Sequence, residues 1–304
     1  MVFSIVGGLL AAVIPIEIVH AFSDQKLGFR MMSLVFASVI FISPILMLIF
    51  IREKGQMQKE EKFSFLKGIK QVSKNRPFVF ALLMFLFTYS AVVVISAMLM
   101  YYIKYYLKME SQASLIMGSI FVTAVIFLPV WYWISKRIGK KRTYTLSSLL
   151  IILVFILLFF VPPDGRFIVY ILAFWGGVGI SAAHLIPWSI MPDVVEYDEL
   201  KTGKRREGMY SGFYSLLLQL AQAGALFLTG AVLEISGYVP DMDQTSSSLF
   251  AIKLLFCLIP AFLFFLGIIS LSFYPITESV HRRIREILQK KRLRYDISPR
   301  QVIG

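Results

Sequence analysis

The chain has a single cysteine, Cys257, and three histidines, His20, His184 and His281, scattered along 304 residues. One thiol excludes a disulfide scaffold, and scattered histidines supply no metal-ligand cluster. Charge is scarce as well, at 16% of residues, where soluble domains carry about a quarter. No glycine-rich phosphate loop and no nucleophile–base arrangement can be read, so the chain is not expected to be an enzyme.

What is abundant is apolar surface. Hydrophobic residues make up 58% of the chain and aromatics 15%, with a mean hydropathy of +0.74. A soluble protein of this size cannot bury so much. Eight runs, near 2–19, 31–50, 77–103, 113–134, 144–162, 167–191, 209–235 and 249–274, are long enough to cross a bilayer, which takes about 20 helical residues. They contain three formal charges, Glu17, Glu234 and Lys253, all toward the predicted outer ends, where snorkelling is the default. Backbone groups in lipid need partners within their own segment, so the predicted class is an all-α membrane protein with eight transmembrane helices.

The net charge of +13 is distributed unevenly. Segments 51–76, 135–143, 192–208 and the tail after 274 hold 25 Lys and Arg, and the alternate loops hold 5. This asymmetry predicts cytoplasmic termini in a plasma (inner) membrane and makes nucleic acid an unnecessary partner. The domains expected are 1–50 (two spans), 51–76 (a cytoplasmic linker), 77–276 (a six-helix bundle) and 277–304 (a basic tail). Phe63, Leu66, Ile69 and Val72 in the linker, and Val280, Ile284, Ile287 and Leu288 in the tail, recur near helical spacing among basic residues. Each pattern fits a helix on the membrane surface or one packed beneath the bundle. The tyrosines 101, 102, 105 and 106, and Trp131 with Trp133, fit interfacial belts.

Polar groups inside spans are the functional candidates. Ser211, Ser215, Gln219, Gln222 and Thr229 share one helical face, flanked by Tyr210 and Tyr214. That stripe is expected to face a cavity, together with His184, or to hydrogen-bond a neighbouring helix. Hydroxyls and amides offer donors and acceptors without fixed charge, which suits a polyol. Ser181, His184 and Trp188 share another face, beside Pro187, and Gly176, Gly177 and Gly179 are expected to soften that helix. Asp193, Glu196, Asp198 and Glu199 read as a solvated loop. Set against Lys136, Arg137, Lys140 and Arg142 they form a candidate inner gate, with mere solvated charge as the alternative.

The stretch Pro187–Tyr214, PWSIMPDVVEYDELKTGKRREGMYSGFY, closely resembles the loop after the tenth helix in the melibiose-permease-like glycoside–pentoside–hexuronide:cation symporter family of the major facilitator superfamily. Animal sodium-dependent lysophospholipid symporters share its PWS-x-x-PDV beginning. Lys74-Asn75-Arg76-Pro77-Phe78 and the basic run Lys136–Arg142 extend the match, although Lys136 stands where an aspartate is usual.

The resemblance implies helices five to twelve of a twelve-helix fold, lacking the first four, and cation-coupled symport of a sugar or glycoside by alternating access. A lysophospholipid or other amphiphile carrier, or a non-transporting membrane fragment, are the alternatives. It also implies that His184, Tyr214, Ser215 and Gln219 contact solute, with His184 replacing an aromatic platform and Gln219 a lysine. The family's cation-coupling aspartates lie on helices two and four. The resemblance therefore implies that the Na+ or H+ site is not in this chain, and that the chain alone does not carry out coupled transport.

Overall fold

The structure is a computed structural model describing residues 7, 14, 15, 18, 19, 21–50, 72–163, 165–204 and 206–297; for Gln25, His184 and residues 291–297 it describes the backbone alone. The chain divides into two compact units, Met1–Ser64 and Phe65–Gly304. In the first, helix α1 (Gln25–Phe50) has no charge after Arg30 and contains Pro44. Asp24 Oδ1 accepts from the Lys26 amide at its start (3.0 Å). Most of the predicted span 2–19 and the 51–71 part of the linker lie outside the described residues.

Among the described residues the second unit's regular elements are all helical. Helix α2 (Arg76–Tyr101) runs into a π-turn at Tyr102–Tyr106; α3 (Ala113–Ile138), α4 (Lys140–Phe160), α5 (Arg166–Thr202) and α6 (Glu207–Ile235) follow. Helix α7 (Ser246–Lys253) continues through a π-turn at Leu254–Leu258 into α8 (Ile259–Ser272), and α9 is Glu278–Ile297. Among the described residues seven helices, α1 included, are long and apolar enough to cross a membrane. The chain is an integral membrane protein.

Local chemistry explains the helix ends. Asn75 caps α2, accepting from the Phe78 amide (3.4 Å), with Pro77 in the first turn, where a missing amide costs nothing. Helix α5 corrects the reading of 192–208 as a loop: it stays helical to Thr202 and ends on Gly203, whose φ of +71° is costly for any residue with a Cβ. Nothing between Pro192 and Gly203 breaks a helix.

Packing sets the bundle. Helix α3 lies on α5, α2 on α8, α4 on α5 and α8, and α6 on α2. Gly177 is where α3 and α5 meet, since a Cβ there would sit 2.5 Å from the Ile120 carbonyl oxygen. The glycines predicted to soften α5 thus include one required for contact. Two belt assignments are corrected too. Trp131 is buried and donates to the Val178 carbonyl (2.7 Å), and Tyr102 is buried and donates to the Leu158 carbonyl (2.8 Å). Trp133 remains exposed. Ile284 and Leu288 of α9 are buried with Val194, Val195 and Ile276, so the tail helix packs beneath the bundle.

Candidate functional site

Two groups of side chains stand out in the second unit. The first is aromatic and joins α2, α5 and α6. Phe85 stacks on Tyr89 (4.3 Å between centroids), tilts against Tyr214 (3.9 Å) and meets Trp188 edge-on (5.4 Å). Trp188 Nε1 donates to the Tyr89 hydroxyl. Phe85 and Tyr214 are buried, whereas Trp188 is 44% exposed, so the group opens to one side. Among the described residues the buried Tyr214 hydroxyl has no hydrogen-bond partner, a costly condition for a group that both donates and accepts.

The predicted polar stripe lies beside this group. Ser211, Ser215 and Gln219 are exposed and Gln222 is half-buried. They do not line the interior of the six-span unit, because α6 packs with Tyr210, Phe213 and Tyr214, and the stripe is turned about a quarter of the helix away. Thr229 is buried and bonds the Ala225 carbonyl of its own helix (2.7 Å). Ser181 likewise bonds Val178 within α5 (2.7 Å). The His184 side chain lies outside the described residues. Tyr214, Ser215 and Gln219 are thus brought to one flank, and Phe85 and Tyr89, which the sequence reading missed, complete it.

The second group is charged and occupies the end of the bundle where α4 begins. Lys140 Nζ meets both Asp193 oxygens (2.6 and 2.8 Å) and donates to the Ser189 carbonyl (2.7 Å). His281 Nε2 stands 3.2 Å from Asp193 and 2.9 Å from Glu196, and Arg285 is 3.5 Å from Glu196. Arg206 lies 3.7 Å from Asp198, beside the Tyr210 hydroxyl, which accepts from Asn75 Nδ2 (2.9 Å). Glu199 is also engaged. Just beyond α8, burial and the Asp193 charge push the Tyr274 phenol above the usual tyrosine range.

Of the basic residues expected opposite these acids, only Lys140 pairs with one of them. Lys136 and Arg137 instead cover the Tyr132 and Trp133 rings (4.4 and 3.6 Å). Arg142 has no ion-pair partner among the described residues. His281 and Arg285 were the missed participants. The available signal was His281 at helical spacing from Ile284 and Leu288, which places it on the buried face of α9.

The chain belongs to the MFS/sugar transport protein family, which it matches over residues 1–278. It is 38% identical to an uncharacterized symporter of Synechocystis sp. over 238 residues, 76% of this chain and 44% of that protein. It is 34% identical to an uncharacterized symporter of Bacillus subtilis over 237 residues, 76% of this chain and 50% of the relative. Similarity extends to the sodium-dependent lysophosphatidylcholine symporter 1 of Xenopus tropicalis, at 25% identity over 279 residues, 89% of this chain and 53% of that protein. The chain spans about half the length of these relatives.

Proposed function

We propose that the chain supplies the solute-facing carboxy-terminal bundle of a cation-coupled symporter that carries a sugar or glycoside by alternating access. The observation that carries this reading is the Phe85–Tyr89–Trp188–Tyr214 group, with an unpartnered buried hydroxyl on Tyr214 and exposed Ser215 and Gln219 beside it. An aromatic face takes the apolar C–H surface of a sugar ring, while hydroxyl and amide groups exchange hydrogen bonds with its rim. His184 and Gln222 belong to the same proposed site. The division into 1–50, 51–76, 77–276 and 277–304 is part of the proposal.

We assign the coupling cation, Na+ or H+, to carboxylates outside this chain. In support, the acids of α5 lie at its end and are engaged there by Lys140, His281, Arg285 and Arg206. The basic end and both termini are placed in the cytoplasm of a plasma-membrane protein, as the charge asymmetry favours. The network around Asp193 and Glu196, together with Asp198, Glu199, Lys136, Arg137 and Arg142, then forms the inner mouth. A second reading, a lysophospholipid or similar amphiphile as solute, is favoured by the lysophosphatidylcholine symporters among the relatives.

The test is tryptophan fluorescence of the purified chain titrated with glycosides, hexuronides and lysophosphatidylcholine. The sugar reading expects saturable quenching by one sugar class, lost in Trp188→Phe and weakened in Gln219→Ala. Saturation by lysophosphatidylcholine alone would replace it with the amphiphile reading.

A further inference from the structure

At the basic end of the second unit, a cavity of about 450 Å³ opens where the corner between α3 and α4, the segment after α8 and the first turn of α9 come together. The charges around it do not balance. Lys140 is matched by Asp193, and His281 is held between Asp193 and Glu196. That leaves Lys141, Arg142 and Arg282 against one lining carboxylate, Glu278. Among the described residues Lys141 donates to the Ser272 carbonyl (2.7 Å) and meets no carboxylate. Arg142 and Arg282 are exposed, and neither has a carboxylate partner among the described residues. Two helix starts contribute as well: α4 begins at this wall without a side-chain cap, and α9 begins here with Glu278. The first-turn amides of an uncapped helix point outward and favour an anion.

An independent observation comes from Tyr274. It lines the cavity, is 4% exposed, and its hydroxyl has no hydrogen-bond partner among the described residues. Native structures rarely leave a buried hydroxyl unpaired unless something else supplies the partner. Ile138, Ile190 and Ile276 form an apolar side of the wall, beside the mutually bonded hydroxyls of Thr277 and Ser279. Cationic rim, hydroxyl donor and apolar wall together match a phosphate group attached to an apolar body.

We infer that this cavity binds a phosphate group, that of an anionic phospholipid headgroup, between Arg142 and Arg282, with Tyr274 donating to it. The bound group spans the start of α4 and the start of α9 and so fastens the tail helix to the bundle. The site is separate from the aromatic flank and does not depend on which solute is carried.

The experiment is native mass spectrometry of the intact chain with phosphatidylglycerol, phosphatidylcholine or inorganic phosphate, alongside thermal unfolding in the same mixtures. The expected result is preferential retention of phosphatidylglycerol over phosphatidylcholine, reduced about fivefold by Arg142→Gln and again by Arg282→Gln. Arg166→Gln, at the other end of α5, leaves retention unchanged. Tyr274→Phe weakens retention while leaving unfolding in lipid-free detergent at the parent temperature, which a purely structural hydroxyl would not do. Saturable binding of inorganic phosphate with the same sensitivity to both arginines would keep the phosphate site and assign it to a soluble ligand. Phosphatidylglycerol retention that neither arginine variant reduces, or no preference for any phosphate anion, would overturn the inference.

Discussion

Lys140→Met is the most informative perturbation of the charged end. Asp193 keeps only 7% of its side chain exposed, and Lys140 keeps 24%. Removing the lysine leaves a buried carboxylate whose remaining neighbours are His281 and a second carboxylate, Glu196. Breaking one side of a buried pair costs about 3–5 kcal/mol, and the partial exposure of Lys140 argues for about 3. At about 2–4 °C per kcal/mol for a unit of this size, the unfolding midpoint falls by roughly 6–12 °C.

Cys257 makes this measurable. It is the chain's sole cysteine, fully buried, and packed in the cluster that holds Phe155 and Leu158. Those residues lie about 25 Å along α4 from Lys140. Labelling of Cys257 by a maleimide dye during a temperature ramp therefore reports loss of the core and not local fraying at the mutated end. The double variant Lys140→Met/Asp193→Leu removes both charges and is expected within about 1 kcal/mol of the parent, because an apolar pair avoids the desolvation that the ion pair had to offset. A midpoint for Lys140→Met within 2 °C of the parent, or a double variant no better than the lysine variant, would refute the argument that the pair is buried and coupled.

Two further outcomes follow from packing. Gly177→Ala drives a Cβ against the Ile120 carbonyl and is expected to cost about 1–3 kcal/mol in the same assay. Gly176→Ala, whose Cβ would find its nearest neighbour at 3.8 Å, is expected to be neutral or slightly stabilising. Tyr102→Phe removes the donor to the Leu158 carbonyl between α2's π-turn and α4, for a loss of about 1 kcal/mol. An unchanged midpoint there would mean that the hydroxyl finds an equivalent partner in the unfolded reference.

The spans were legible because bilayer thickness imposes a length and an apolar composition that no neighbour can alter. Helix α5 shows where that signal stops. Hydropathy ends near Met191, yet the helix continues for three more turns, since its acids find partners on α4 and α9 that periodicity within α5 cannot reveal. Trp131 and Tyr102 were misplaced for a related reason. An amphipathic aromatic near a span end satisfies its polar tip equally well at an interface or on a carbonyl across the bundle. The carbonyls involved, Val178 and Leu158, lie 47 and 56 residues away in the chain. The resemblance led to Tyr214, Ser215 and Gln219. Phe85 and Tyr89, on an almost uniformly apolar helix, carried no comparable mark.

Helix α5 also links the aromatic flank to the charged end. Trp188 enters the aromatic group, and Asp193, five residues on, enters the ion network; the rise between them is about 7.5 Å. Pro187 immediately precedes this stretch and Pro192 lies within it, each removing an amide from the helical ladder. The helix is held across the weakened turn by neighbours: Tyr89 on Trp188, and Lys140 on both the Ser189 carbonyl and Asp193. A segment with missing internal bonds and strong external ones takes its position from α2 and α4. On the function proposed above, a displacement of Trp188 and a release of Asp193 by Lys140 would therefore act on the same turn and a half of backbone.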